Sequence, residues 1–165
     1  MFKKVAISLI VASMMISGVV SAATNVVKPR AIREATDKCA QCKMVTPNIA
    51  ATTQVLLATG KSMIFDDLGC MVKWVKANPG QKVLAQYVRD KQSLVWIEKD
   101  KAYYAYDASF STPMAYGVVS FKSKQAAQKF VQKQGKGKIM TAKQLETHVW
   151  TMNRGMMQMN DMHTH

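Results

Sequence analysis

Between residues 49 and 141 the apolar positions change period twice, in the same order each time. Residues 49–57 and 62–65 read as strands, because apolar and β-branched residues fill both runs and the Thr59-Gly60-Lys61 turn separates them. The spacing then lengthens. Met71, Val72, Trp74 and Val75 recur at helical intervals behind Asp67, a capable N-cap, and Asn78-Pro79 closes the run. Residues 83–88 return to a strand-like apolar stretch. In the second series, residues 102–106 and 116–121 read as strands. Ser123 caps a helix carrying Ala126, Ala127, Phe130 and Val131, Gly135 supplies its C′ residue, and residues 138–140 form a short strand. Placing Phe65 on Phe121 brings Cys70 onto Ala126, Lys73 onto Lys129, Trp74 onto Phe130 and Val75 onto Val131. The two series therefore read as an internal repeat. The pattern predicts an α+β protein of two repeated ββαβ units, at 39–90 and 91–141, with helices packed on antiparallel sheets. The recurring Phe65, Trp74, Val75, Phe121, Phe130 and Val131 are the expected core.

The flanks follow other rules. Phe2-Lys3-Lys4 is a basic start, residues 5–20 are apolar, and Ser21-Ala22-Ala23 supplies small residues. That order is the signature of a cleavable signal peptide over 1–23, and it implies export to the periplasm. The apolar run is short for a membrane span. An uncleaved anchor is the alternative. Residues 24–38 are polar and aperiodic, and read as a flexible lead-in. Thr141 and Gln144 have capping-box spacing, which predicts a C-terminal helix over 142–153. Residues 154–165 lack any core-forming pattern and read as a mobile Met/His-rich tail.

Composition narrows the partners. The chain has 23 Lys and Arg against 10 Asp and Glu, a formal charge of +13. Loss of Lys3 and Lys4 with the leader lowers it to +11. The lysines are scattered, as on a solvated face, and export makes nucleic acid an improbable partner. An acidic protein patch or anionic headgroups would still feel a weak pull. No cysteine lies near the cleavage region, so no lipid anchor is foreseen. Glycine-rich phosphate loops and serine nucleophile elbows are missing, and the three histidines are few and late. The chain therefore reads as a non-enzyme.

The candidate chemistry is sulfur. Cys39-Ala40-Gln41-Cys42-Lys43-Met44 sets two thiols two residues apart, with a thioether beyond them. Thiolates and thioethers are soft ligands and select Cu(I) over hard ions. A structural zinc site would want four ligands, and Cys70 is the one further cysteine, so zinc is the weaker reading. A thioredoxin-like dithiol would sit at a helix start after a buried strand, a context these residues lack. A local disulfide remains open, although three cysteines are an awkward count for a disulfide framework. Gly69-Cys70-Met71 opens the first helix. There a thiol's pKa is lowered, and Cys70 is either a ligand or a small packing residue. Met114 lies in the Thr112-Pro113-Met114-Ala115-Tyr116-Gly117 loop, where it is a ligand candidate or gap-filler. Met71 is a further candidate. Of 13 methionines, five fall between positions 152 and 162, too clustered to be core packing alone. Met156, Met157, Met159 and Met162, followed by His163 and His165, read as an auxiliary copper-collecting segment. His148 reads as a surface or core-edge residue of the final helix.

Three short blocks in order resemble the nitrous-oxide reductase accessory protein family, NosL. They are Cys39-Ala-Gln-Cys42-Lys-Met44, Phe65-Asp66-Asp67-Leu68-Gly69-Cys70-Met71, and Ala102-Tyr103-Tyr104 with Thr112-Pro113-Met114 and Val119-Ser120-Phe121. The resemblance spans roughly residues 38–145. It implies a compact NosL-like fold of paired ββαβ units. It also implies a periplasmic Cu(I) metallochaperone delivering copper to a client, nitrous-oxide reductase or its maturation machinery. The first block of the family usually reads Cys-x-x-Cys-Gly-Met, so Lys43 is a departure. Two others are the Met/His tail and the missing lipid cysteine of a family whose members are typically lipoproteins. A thiol-disulfide oxidoreductase using Cys39 and Cys42, and a passive copper scavenger, are the alternatives.

Overall fold

The protein was described from a computed structural model, which covers residues 28–155. The segment read as a signal peptide, the start of the lead-in and the residues from Met156 onward lie outside the described residues. Among the described residues, no helix is long and apolar enough to cross a membrane.

The fold is a mixture of helices and two antiparallel sheets. In chain order it runs β1 (Thr53–Leu57), β2 (Ser62–Phe65), α1 (Leu68–Ala77), β3 (Val83–Arg89) and β4 (Trp96–Glu98). After a 3-10 turn at Lys99–Lys101 come β5 (Tyr103–Tyr106), β6 (Val118–Phe121), α2 (Lys124–Gln134), β7 (Lys138–Thr141) and α3 (Ala142–Glu146). The first sheet has the order β2-β1-β3-β4 and the second β6-β5-β7.

β1 lies between β2 and β3 and is buried at all five positions, so its polar Thr53 and Gln54 are enclosed along with Val55, Leu56 and Leu57. Its Gln54 escapes an unpaired burial by accepting from the Arg30 amide at 2.9 Å and donating to the Arg30 carbonyl at 3.1 Å. Arg30 in turn makes a two-pronged ion pair with Asp37, at 2.7 and 2.6 Å. These bonds hold the part of the lead-in within the described residues against the first sheet. The sheets meet where Ser120 of β6 donates its hydroxyl to the Arg89 carbonyl at 2.6 Å. Beside it the Asp90 carboxylate accepts from the Lys122 amide at 2.9 Å.

The helix signals sit where the sequence places them. Asp67 caps α1, Ser123 caps α2, Gly135 ends α2 in the left-handed conformation, and Thr141 with Gln144 completes a capping box. Other boundaries differ. Residues 49–52 turn instead of extending β1, leaving Ile49 39% exposed. β4 has no counterpart in the sequence reading; its Trp96 ring lies under the Arg89 guanidinium, 4.3 Å from centre. The final helix ends at Glu146, not at 153, because the chain beyond it packs by aromatic contact. His148 stacks edge-on against Tyr106 at 4.4 Å and Trp150 at 4.9 Å, and Trp150 reaches Tyr116 at 5.9 Å. Asn153 then fastens the segment by donating its amide to the Ala115 carbonyl at 2.9 Å.

The core corrects four of the six expected residues. Phe65 and Phe121 are fully buried, whereas Trp74, Val75, Phe130 and Val131 are half-buried packing partners at the helix margins. Phe65→Ala should therefore cost about 3–5 kcal/mol. Trp74→Ala, losing roughly half its transfer term, should cost about 2 kcal/mol. Urea midpoints of the two variants test the ordering; equal losses would mean that Trp74 carries core weight its exposure denies.

Candidate metal centre

Two local structures meet at one point. The first is the loop over residues 38–45, closed by an antiparallel bridge between Lys38 and Val45. Its Cys39 amide donates to the Met44 carbonyl at 2.8 Å, and the Lys43 amide to the Cys39 carbonyl at 2.9 Å. Lys43 takes φ 68, a left-handed conformation that favours glycine. That explains why glycine is the usual residue there in the pattern this loop resembles. The Ala40 amide ties the loop to β2 through the Ile64 carbonyl at 2.8 Å. The second structure is the junction of β2 with α1. Asp66 follows the strand, Asp67 caps the helix, and Cys70 stands in its first turn.

At the meeting point one donor atom each from Cys39, Cys42, Asp66 and Cys70 lies within 4.8 Å of the others. Donors held at about 2.3 Å around one tetrahedral ion stand about 3.8 Å apart, so a small inward adjustment would close this set on a metal. All three cysteines are free thiols. Cys39, Asp66 and Cys70 are buried and Cys42 is half-buried. The Cys42 thiol donates to Asp66 Oδ2 at 3.2 Å, while Asp66 Oδ1 is buried without any hydrogen-bond partner. A buried carboxylate oxygen left unpaired is costly. A cation in the cluster would satisfy it, so the donor set fits a metal.

The thiols are not equivalent. Cys70 donates to the Cys39 sulfur, and the Cys42 amide approaches the same sulfur at 3.5 Å. These donors outweigh burial and pull the Cys39 thiol down to about 6. Burial, with Asp66 alongside, pushes Cys42 up to about 12. Cys70 is pushed up, first because its proton is committed to Cys39 and then by burial. The expectation of a lowered Cys70 therefore fails: the helix start is overridden by a thiol neighbour, and Cys39 is the anionic sulfur.

Of the remaining candidates, Met44 is 54% exposed beside the loop. Met114 is half-buried against the same core cluster as Cys39 and Cys70, and Met71 is fully buried inside it. The Met114 amide donates to Asp67 Oδ2 at 3.0 Å, which anchors its loop to the helix start. Met156, Met159, Met162, His163 and His165 lie outside the described residues. His148 stays apart, in the aromatic stack. Asp66 is the donor sequence reasoning missed. Its signal was the doublet Asp66-Asp67: one helix needs one cap, which leaves a second carboxylate unexplained. With Asp66 the cluster has four donors, so the count no longer argues against zinc.

Comparisons with known proteins bear on the family and the fold. Residues 30–150 match the family model NosL. Among solved structures, the chain is similar to the copper chaperone NosL from Shewanella denitrificans, with a TM-score of 0.59 and 21% identity. The match covers 69% of this chain and 92% of that one. No curated protein matches the chain.

Metal-free protein should show one thiol titrating near pH 6, read by ultraviolet thiolate absorbance and lost in Cys39→Ser. The linkage follows in sign. A folded value below the unfolded one makes Cys39 contribute stability above the unfolded thiol range, lost as pH falls toward about 6. The raised Cys42 and Cys70 act oppositely, losing stability as pH rises above that range. The difference in unfolding free energy between wild type and Cys39→Ser should therefore grow from about pH 6 to about pH 9. A pH-independent difference would refute the assignment of the anionic sulfur.

Proposed function

The chain belongs to the NosL family, and from that membership we propose that it is a periplasmic Cu(I) metallochaperone that hands its ion to a client cuproenzyme, nitrous-oxide reductase or its maturation machinery. The observation that carries the reading is the Cys39-Cys42-Asp66-Cys70 cluster, formed by two of the three blocks that resemble the family. Copper is the cargo. Three sulfur donors suit a soft ion, and Met44 in the same loop and Met114, packed against the same core, are read as further soft ligands. Metal entry displaces the thiol protons, so loading should favour higher pH. The apolar leader over 1–23 supports export.

The other lines of the reading rest on the same base. The two sheets and their helices are read as copies of one ββαβ unit, at 39–90 and 91–141. Dithiol redox chemistry is the less favoured reading, because Cys39 and Cys42 sit in a loop and not at a helix start. Zinc is the second reading, favoured by the carboxylate as fourth donor. Anaerobic competition with a chromophoric Cu(I) chelator separates these. One tight equivalent should bind per chain, and Cys39→Ser/Cys42→Ser should abolish it. Asp66→Asn should weaken zinc by about tenfold or more while sparing Cu(I), since a carboxylate is a hard donor. Full Cu(I) affinity in the double serine variant would end the proposal.

We read Met156, Met157, Met159, Met162, His163 and His165 as an auxiliary collector. Asn153, three residues before Met156, is fastened to Ala115, the neighbour of Met114. A tether raises the local concentration of its ligands without needing a fixed fold. Removing residues 156–165 should leave the melting temperature and the tight equivalent unchanged, and lower total copper bound or slow loading at low copper. Unchanged stoichiometry and loading would make the segment inert.

A further inference from the structure

A groove of about 310 Å³ runs along the 38–45 loop, with Cys39 in its wall and Trp74 at its edge. Its cations are Lys38, Lys43, Lys61 and Arg30, against the single carboxylate of Asp37. Arg30 and Asp37 neutralise each other at 2.6 Å. The three lysines are exposed, and among the described residues none of them is in an ion pair. Lys43 holds a left-handed conformation that favours glycine, and its ammonium folds back to the Ala40 carbonyl at 2.6 Å, on the groove wall. Next to the cations, Met44 and Val45 are 54% and 57% exposed. An apolar pair beside unpaired charge is the composition of a protein interface, where charge steers approach and apolar residues anchor.

We propose that this groove is the docking face for an acidic protein partner, which presents a carboxylate-flanked soft ligand to the metal held behind Cys39. The proposal rests on the copper-carrier reading and names the chemistry of its partner. Charge complementarity selects an acidic surface. Shape selects a protein over a membrane: Cys39 is fully buried behind the groove, where a protruding loop reaches and a flat headgroup layer does not. The partner's carboxylates would meet Lys38 and Lys61 while its soft ligand competes for the ion.

The test uses the full-length exported protein, Cu(I)-loaded, and two synthetic acceptor peptides with the same cysteine and methionine donors. One is flanked by glutamates, the other by glutamines. The glutamate peptide should take copper about tenfold faster at low ionic strength, with the advantage fading as salt is added. Lys38→Gln/Lys61→Gln should remove the advantage and leave Cu(I) affinity unchanged, since neither lysine is a metal donor. Equal rates for the two peptides in wild type would overturn the proposal, as would an advantage that survives in the double variant. Capture of wild type but not the variant by phosphatidylglycerol vesicles, without any peptide preference, would make the face a membrane surface instead. Should the chain bind no Cu(I), the carrier reading fails separately. Docking is then read on metal-free protein, where the glutamate peptide should still shift the Lys38 and Lys61 amide resonances and the glutamine peptide should not.

Discussion

The site depends on one buried carboxylate that is not itself among the clustered donors. Asp67 is fully buried and accepts from three groups: the Gly69 amide at 2.9 Å, the Met114 amide at 3.0 Å, and the Thr112 hydroxyl. The first bond starts α1. The other two bind the loop between β5 and β6 to that helix start. Thr112 is used twice over, because its oxygen also accepts from the Tyr116 and Gly117 amides, at 3.1 and 3.3 Å. Burial raises the Asp67 carboxyl above its ordinary value, while these donors work against the rise. Asp66 and Cys70 flank this residue in sequence and Met114 hangs from it, so two of the clustered donors and the loop that carries Met114 are positioned from one point. Gly69 is the steric counterpart. A Cβ there would sit 2.2 Å from the Tyr116 ring, so only glycine lets the loop lie against the helix.

Around that fixed point the charges are arranged against the trend of the molecule. The chain is strongly basic, yet the carboxyl groups of Asp66 and Asp67 lie buried in its interior with the Cys39 sulfur. An uncompensated buried charge is expensive. Asp67 is relieved by its three donors and Cys39 by the thiol of Cys70. Asp66 has one thiol donor and one oxygen with none. An Asp66 oxygen is among the clustered donors, where a cation would be held more strongly than in water because three of the four donor residues are buried.

The legible part of this structure was the part written in local rules. Caps at Asp67, Ser123 and Thr141, the left-handed Gly135, and the order of strands and helices all follow from residue type at short spacing. So does the dithiol of Cys39 and Cys42 as a place to look for a soft metal. What was illegible depends on contacts across long sequence distance. Asp66 meets Cys42 from 24 residues away, and Met114 meets Asp67 from 47 away. Nothing in the period of the sequence encodes either. The same limit explains the final helix. Its apolar and aromatic residues at 148–152 scan as helical continuation, but Tyr106 on β5 and Tyr116 in the loop between β5 and β6 offer ring contacts that a non-helical path reaches. Trp74 and Phe130 looked like core for the opposite reason: helical period marks the inward face without saying how deep it lies.

On the carrier reading an ion must be held tightly and still given up, and the clustered donors are divided between two kinds of support that would serve those demands. Cys70 and Asp66 belong to the β2–α1 junction, which Asp67 locks. Cys39 and Cys42 belong to a short loop held by the Lys38–Val45 bridge and by the Ala40 bond to β2. The loop's Cys39–Met44 and Lys43–Cys39 backbone bonds are internal to it, and segments tied mainly to themselves open at lower free energy than packed elements. Cys42 is also the one thiol of the three with exposed surface, because Cys39 and Cys70 are closed off by the core. If the cluster carries an ion, Cys42 is the donor whose displacement would need movement of the loop alone, while Asp66 and Cys70 would keep their places at the locked junction, so release would not require unfolding α1.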